Sequence, residues 1–290
     1  MNLKNGIENP QTSCIKEVNY GQKSELIKIL QNNSLLRKTA LKCFNKINLG
    51  ENSLNVSNIH FKNNYIRMKG IKNNLTCAGQ SFLQHCKIYI VGTNNTVIIN
   101  EKTEFYGENL QNFHIDGKNN QILIGKNCKI RNTTFFIRGN NNVIELKDDI
   151  SAFGAEFHIE QNGNYLQIRK GTTFHGRNGY PIHIALDEGS TVLIDEDCMF
   201  SNGIQIRSTD SHSITDIKGN RINYAENIKI GKHCWIGLNC IILKGTQIAP
   251  HTVVAAGSIC TSSYLRENCI KAGNPARIVK QNIDWERKFV

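Results

Sequence analysis

The sequence of 290 residues predicts an all-β protein, a single-stranded parallel β-helix, from a repeat of six residues and its fainter copies upstream. Helices repeat at about 3.6 residues and flat strands at about 2, so neither produces a period of six. We expect an aliphatic residue of each hexapeptide to point inward and a small residue to fill the corner between short strands. The inward positions are Ile230, Ile236, Ile242, Ile248 and Val254. The corner positions are Cys234, Cys240, Thr246, Thr252 and Ser258.

Weaker copies of the hexapeptide pattern extend the predicted β-helix toward the N-terminus. Ile124 to Ile130 has the same form as Ile230 to Ile236, and a fainter copy is formed by Ile144, Asp148 and Ile150. Because three hexapeptides make a coil of ~18 residues, each upstream coil is predicted to carry a few extra loop residues. The anchors of the successive copies are Cys77, Ile99, Ile124, Ile144, Ile168, Ile194 and Ile230, separated by 22, 25, 20, 24, 26 and 36 residues.

Most of these anchors follow a polar turn rich in Asn or Gly. Both residue types tolerate left-handed backbone angles, so they suit the repeated corners of a β-helix. The turns are Asn94-Asn95, Asn119-Asn120, Asn140 to Asn142 and Asn162 to Asn164. The widest gap between anchors contains residues 207–227, a predicted excursion from the β-helix. Insertions in repeat folds gather on one face and build the binding site, so we expect this loop to be functional.

Three regions are predicted along the chain. Residues 1–51 form an N-terminal segment, residues 52–275 the β-helix and residues 276–290 a basic C-terminal tail. Apolar residues at helical spacing over residues 22–48, with Gly50 as a stop, predict a helical cap on the open end of the β-helix. The tail is expected to be helical after Asn282.

Composition restricts the location and the partners of the protein. No apolar run approaches the ~18 residues that span a membrane, and the N-terminus lacks an apolar signal region. We therefore expect a cytoplasmic protein. The formal net charge of +11 favours anionic ligands, but the basic residues are scattered and form no nucleic-acid recognition motif. The ten cysteines include no C-x-x-C pair, so we expect buried small side chains and no metal site.

Four stretches near the C-terminus carry a resemblance to a known family. They are Ser208 to His212, Ile230 to Gly237, Ala255 to Thr261 and Ala272 to Arg277. The last 90 or so residues resemble the hexapeptide-repeat acyltransferases, in the branch of sugar, capsule and sialic acid O-acetyltransferases. The resemblance implies a left-handed β-helix, a homotrimer and acetyl-CoA bound in a groove between neighbouring subunits.

The resemblance also implies roles for the loop and for the coil that follows it. His212 matches the catalytic histidine, which deprotonates the acceptor hydroxyl; imidazole titrates near neutrality and suits this task. Asp210 would orient the imidazole or bind the acceptor, or it is a turn-forming residue. Trp235 is at an outward position, where its ring would contact a sugar or the pantetheine arm, or else a neighbouring subunit or the loop.

For the coenzyme, the resemblance implies backbone groups and two basic side chains. Ala256 and Thr261 match positions whose main chain contacts pantetheine or adenine. Leu238 matches a position, often Ser in the family, whose N–H faces the thioester carbonyl. Arg277 and Lys280 match basic positions beside the coenzyme phosphates; alternatively both belong to a solvated tail.

The sequence thus predicts an acetyl-CoA-dependent O-acetyltransferase that acts on a carbohydrate hydroxyl. The expected acceptor is a surface or capsular glycan, and sialic acid is one candidate for the sugar that is acetylated. Two alternatives remain open: N-acetylation of an amino sugar nucleotide, and a β-helix scaffold that binds glycans without catalysis. A scaffold requires neither His212 nor Trp235, so these residues favour the enzyme.

Overall fold

The computed structural model describes residues 45–107, 111–177 and 179–288, and this part of the chain forms one left-handed parallel β-helix. Each coil contributes a strand to three faces in turn, so the section is triangular. We call the corner between the first and second faces the first corner, and the next two the second and third corners. The described residues contain no helix, and therefore none that is long and apolar enough to cross a membrane.

The strands of the three faces stack in parallel register along the axis. The first face contains β1 (Lys46–Asn48), the start of β4 (Tyr65–Cys77), β6 (Lys87–Thr93), β9 (Gln111–Lys118), β12 (Thr134–Arg138), β15 (Ala155–Glu160), β18 (Ile182–Leu186), β21 (Gln205–Arg207), β24 (Ile241–Leu243) and β27 (Ile259–Cys260). The second face contains β2 (Glu51–Val56), the end of β4, β7 (Thr96–Ile99), β10 (Gln121–Ile124), β13 (Val143–Leu146), β16 (Tyr165–Ile168), β19 (Thr191–Ile194), β22 (Ile228–Ile230) and β25 (Gln247–Ile248).

The third face is a separate sheet, which ends with a strand of opposite direction. It contains β3 (His60–Lys62), β5 (Phe82–Gln84), β8 (Glu104–Tyr106), β11 (Lys129–Arg131), β14 (Ser151–Phe153), β17 (Thr173–His175), β20 (Met199–Phe200), β23 (Trp235–Ile236), β26 (Thr252–Val254), β28 (Cys269–Gly273) and β29 (Ala276–Gln281). Strand β29 is antiparallel to β28 and closes this sheet.

The core is a continuous column inside the coils. All five aliphatic positions of the hexapeptide series and all five small corner residues are at most 3% exposed, which confirms both predictions. The cysteines of the described residues are unpaired and buried, as expected for small side chains. Six buried phenylalanines fill the upstream coils, and neighbours in this series contact one another: Phe105, Phe113, Phe135, Phe157, Phe174 and Phe200.

One upstream anchor was predicted in the wrong register. Ile124 pairs with Leu146, not with Ile144, and Leu146 pairs with Ile168. The coils on either side of Leu146 are therefore both 22 residues long. Ile144 is also buried, because it lies two positions earlier on the same inward side of β13, and this alternation misled the assignment.

A ladder of buried asparagines holds the first corner of the upstream coils. The backbone N–H and the Nδ2 of Asn142 both donate to Asn120 Oδ1, at 3.0 and 3.1 Å. Asn164 repeats the arrangement on Asn142 at 2.9 Å for both bonds. The ladder consists of Asn52, Asn73, Asn95, Asn120, Asn142 and Asn164, and it ends where Ser190 N–H donates to Asn164. The residue before a ladder asparagine often has positive φ, as in Asn94, Asn119 and Asn141, which confirms the turn prediction.

Both ends of the chain differ from the helical expectation where the structure describes them. Residues 1–44, including most of the predicted helical cap, lie outside the described residues. Lys46–Asn48 is a strand, because it pairs with the start of β4 and covers the first coil. Among the described residues up to 288, no helix follows Asn282; instead residues 283–287 run along the second corner and bind side chains that project from it.

Candidate functional site

The excursion leaves the β-helix at the first corner, directly above the end of the asparagine ladder. It joins β21 to β22, and its base is closed by a 2.9 Å hydrogen bond from Glu226 N–H to the Ser208 carbonyl. Ser208 is buried, and its Oγ lies 2.6 Å from Ser190 Oγ. The hydroxyl pair therefore continues the ladder column and fixes the point from which the loop projects.

The loop is a short hairpin that is anchored to the preceding coil. Thr215 and Arg221 form an antiparallel bridge, and Asp216 Oδ1 accepts two backbone N–H groups at the tip. Arg221 forms an ion pair with Glu188, which also accepts the Ala225 N–H at 3.1 Å. The Arg221 guanidinium holds the pKa of the Glu188 carboxyl below its usual range. Four large apolar side chains of the loop are exposed to solvent: Ile214, Ile217, Ile222 and Tyr224.

His212 lies on the exposed side of this loop, and its backbone is fixed by Asn223. Asn223 Nδ2 donates at 2.8 Å both to the His212 carbonyl and to Asp210 Oδ2. Lys244 Nζ donates to the same carboxylate at 2.5 Å and to the Tyr224 carbonyl at 3.2 Å. Lys244 therefore holds the pKa of Asp210 below its usual range. No hydrogen bond joins Asp210 to the His212 ring, so within the described chain the carboxylate fixes the loop to the next coil.

Trp235, Leu238 and Ala256 lie together on the other side of the molecule. Trp235 projects outward from β23 on the third face and is 36% exposed. Leu238 and Ala256 occupy the third corner in successive coils, and the Leu238 carbonyl accepts the Gly257 N–H at 2.7 Å. Gly237 allows this close approach, because a Cβ there would lie 2.7 Å from Ala256 N. Neither the Leu238 N–H nor the Ala256 N–H donates to another described residue.

The remaining predicted residues lie at the C-terminal end of the β-helix. Arg277 and Lys280 are exposed on β29, at the end of the third face. Thr261 follows β27 near the first corner, and its N–H lies 3.4 Å from Tyr264 Oη. The two basic side chains therefore share a face with Trp235, whereas Thr261 does not.

The predicted residues thus form two groups on opposite sides of one chain. His212 and Asp210 belong to the first corner, which lies across the triangular section from the third face. Trp235, Arg277 and Lys280 belong to that third face, and Leu238 and Ala256 to its border. A single chain does not bring the histidine and the tryptophan into one site.

Several residues that shape these groups were not identified from the sequence. Asn223, Lys244 and Glu188 fix the loop. Their contacts depend on the path of the loop, which the hexapeptide repeat does not predict. Trp285 is buried against the second corner, where its ring stacks on His233 at 4.4 Å and lies 6.0 Å from the Trp235 ring. A tryptophan in the basic C-terminal tail was the available signal, because an exposed indole requires a partner.

Known proteins share this architecture over most of its length. The chain is 37% identical over 208 residues to a polysialic acid O-acetyltransferase of Neisseria meningitidis, which covers 68% of this chain and 88% of that protein. It is 27% identical over 121 residues to a galactoside O-acetyltransferase of Escherichia coli K12, covering 59% of that protein. No protein-family model matches the chain.

Two crystal structures have the same fold. The polySia-specific acetyltransferase NeuO superposes with a TM-score of 0.57 at 27% identity, over 82% of this chain and 90% of the other. The polysialic acid O-acetyltransferase OatWY gives a TM-score of 0.57 at 29% identity, over 82% and 93%. The similarity in sequence and fold to these O-acetyltransferases shows that the chain is an acyltransferase. The chain belongs to the hexapeptide-repeat acyltransferase family, in the branch of sugar, capsule and sialic acid O-acetyltransferases.

Proposed function

We propose that the protein transfers an acetyl group from acetyl-CoA to a hydroxyl of a sialic-acid-containing capsular glycan. The observation that carries the proposal is the 37% identity to a polysialic acid O-acetyltransferase across 88% of that relative. The formal net charge of +11 fits an anionic donor and an anionic acceptor.

His212 is the general base of this reaction. A neutral ring nitrogen takes the proton of the acceptor hydroxyl as its oxygen attacks the thioester carbonyl. The tetrahedral oxyanion accepts a hydrogen bond from the Leu238 N–H, which has no acceptor among the described residues. The C–S bond then breaks, and the thiolate of coenzyme A takes the proton from the imidazolium. The exposure of His212 gives an acceptor chain access to it.

The other residues bind and position the two substrates. Trp235 contacts the acceptor sugar through its exposed ring. Arg277 binds the coenzyme phosphates through its guanidinium and Lys280 as a point charge. Ala256 and Thr261 contribute backbone groups to the coenzyme. Asp210 acts through the loop: its bonds to Lys244 and Asn223 support a role in holding the His212 backbone in place.

We infer that the complete site requires a neighbouring subunit, in a homotrimer. The support is the separation of the two groups, since His212 and Trp235 occupy opposite sides of one chain. The apolar side chains of the loop, including Ile217, which is fully exposed, favour a protein surface as their partner. A cyclic arrangement would bring the loop of each subunit against the third face of the next.

Thiol release from acetyl-CoA, measured with sialic acid polymers and with neutral glycans as controls, tests the reaction. Acetylation of sialic acid should appear as a mass shift of about 42 Da per acetyl group. His212→Ala should lower kcat by ~10²- to 10⁴-fold with little change in acetyl-CoA affinity or in the melting temperature. Transfer only to amino sugars, or a kcat for His212→Ala within a few-fold of the wild-type value, would contradict the proposal.

Subunit complementation tests the shared site. His212→Ala and Trp235→Ala subunits, each of low activity alone, are unfolded and refolded together. If the two residues act from different subunits, mixed trimers contain some intact sites and recover a measurable fraction of activity. No recovery, in mixtures shown by mass spectrometry to contain both subunits, would place both residues of a site in one chain.

A further inference from the structure

A cluster of two histidines and an aspartate lies at the second corner, outside the proposed acetyl-transfer site. His233 and His251 project from the same corner in successive coils, both with positive φ, and their ring centroids are 5.1 Å apart. Asp284 of the C-terminal tail lies between them. Its Oδ1 is 3.5 Å from His233 Nε2, and its Oδ2 is 3.1 Å from His251 Nδ1.

These distances suit a small divalent cation. Zinc bonds of about 2.0–2.1 Å in a tetrahedral site place ligand atoms roughly 3.3 Å apart. The ligand atoms of all three residues lie within 4.8 Å of one another. Two imidazoles and a carboxylate form a ligand set that is typical of zinc sites. The fourth position would be supplied by a water or by the Trp285 carbonyl, which lies 3.0 Å from His233 Nε2.

The surroundings orient the ligands as metal sites require. His233 Nδ1 lies 2.6 Å from Asp197 Oδ2, so the imidazole is held by a carboxylate while Nε2 faces the cluster. Arg287 Nε donates to the other Asp197 oxygen at 3.0 Å and fixes that carboxylate. Asn268 holds the tail just before Asp284, through its Nδ2 on the Ile283 carbonyl at 3.2 Å.

We propose that His233, His251 and Asp284 bind a zinc ion that clamps the C-terminal tail to the β-helix. The three ligands are far apart in the sequence and include no cysteine, so the search for closely spaced cysteines did not detect them. The clamp would be structural, because the ion lies at the second corner, away from His212. It would keep the Trp285 ring against His233, next to Trp235. Without zinc, His233 Nε2 instead donates to the Trp285 carbonyl, so the alternative is a hydrogen-bonded latch.

Calorimetric titration of the chelator-treated full-length protein with Zn²⁺ tests the clamp. We expect one ion per chain at this site, a rise in melting temperature and slower removal of the tail by carboxypeptidase. His251→Ala and Asp284→Asn should each weaken zinc binding by about 10-fold or more, and Asp197→Asn by about 10- to 100-fold through the orientation of His233. His85→Ala, which removes an exposed histidine elsewhere, and His183→Ala should leave binding unchanged.

Two outcomes would overturn the clamp. The first is a wild-type protein that shows no saturable zinc binding. If its tail is nevertheless protected from proteolysis, the hydrogen-bonded latch alone holds the tail in place. The second is equal zinc affinity in the wild type, His251→Ala and Asp284→Asn. Because every readout is independent of acetyl transfer, the result does not depend on the acceptor proposed above.

Discussion

The upstream coils and the C-terminal coils fill the first corner with different buried side chains. Upstream, coils of about 22 residues carry the asparagine ladder, in which every polar group of Asn120 is bonded to a neighbouring coil. In the C-terminal coils the repeat shortens to 18 residues, and Thr246 fills the corner with a single side-chain bond, to the Cys260 carbonyl at 3.1 Å. The loop that carries His212 leaves the β-helix between these two sets of coils. Buried side-chain hydrogen bonds at the first corner are therefore more numerous at Asn120, upstream of the loop, than at Thr246, downstream of it.

The largest effect is expected from breaking the ladder. Asn120→Ala would remove donors to Asn95 and Gly139 and the acceptor of Asn142, leaving several buried polar groups unpaired. At about 1–3 kcal/mol per unsatisfied group, we expect a loss of about 3 kcal/mol or more in the free energy of unfolding. Urea denaturation measures it.

Thr246→Ala is the matched substitution at the same corner of the later coils. It removes one buried hydrogen bond, so the expected loss is about 1 kcal/mol. If Asn120→Ala and Thr246→Ala lower the free energy of unfolding equally, the proposed difference between the upstream and C-terminal coils is wrong.

The sequence predicted the inward and corner residues because a β-helix imposes its period on side-chain size. The same logic failed at Ile144, where two inward aliphatic residues two positions apart were equally suitable as anchors. The ladder asparagines were identified only as turn formers, since nothing local distinguishes a buried Asn from an exposed one. The candidate site residues were proposed from motif resemblance. Their separation across the triangular section depends on which face each strand joins, and the motifs do not give this.

A second prediction concerns a charge buried in the last coil. Lys271 is fully buried on β28; its Nζ lies 4.5 Å from the centroid of the Tyr264 ring and has no hydrogen-bond acceptor among the described residues. Burial lowers its pKa. Lys271→Met keeps the length of the side chain and removes the polar group, so the free energy of unfolding should rise by about 1–2 kcal/mol.

The pH dependence distinguishes charge burial from a packing effect. Because the unfolded state binds the Lys271 proton more tightly, wild-type stability should rise as pH approaches 10.5, and Lys271→Met should lack this rise. Lys229→Met, at an exposed position of β22, should change stability by less than about 0.5 kcal/mol. A destabilised Lys271→Met protein would show that the contact with the Tyr264 ring outweighs the cost of burial.

The smallest effect is expected on the outer surface of the upstream coils, at His158. Its Nδ1 lies 3.5 Å from Glu156 and its Nε2 3.3 Å from Glu160, while Arg138 pairs with Glu160 and His183 contacts the ring edge-on. The hydrogen bond with Glu156 raises the pKa of His158 above its usual value of 6.5, and the contact with Glu160 adds to it. Stability from this pairing is therefore fully present below pH 6.5 and is lost as pH rises through the folded pKa.

His114 provides the matched control, since it stacks on the opposite side of the same Phe136 ring. The ring centroids are 5.0 Å apart for His114 and 4.4 Å for His158. Burial lowers the pKa of His114, so its contribution to stability rises with pH. Unfolding free energies from pH 5.5 to 8.5 should show that His158→Gln removes a downward slope and His114→Gln an upward one. Each change should be below about 1 kcal/mol, because both rings are half-exposed and screened by solvent. Slope changes of the same sign in the two variants would mean that stacking on Phe136, and not charge, sets the pH response of this surface.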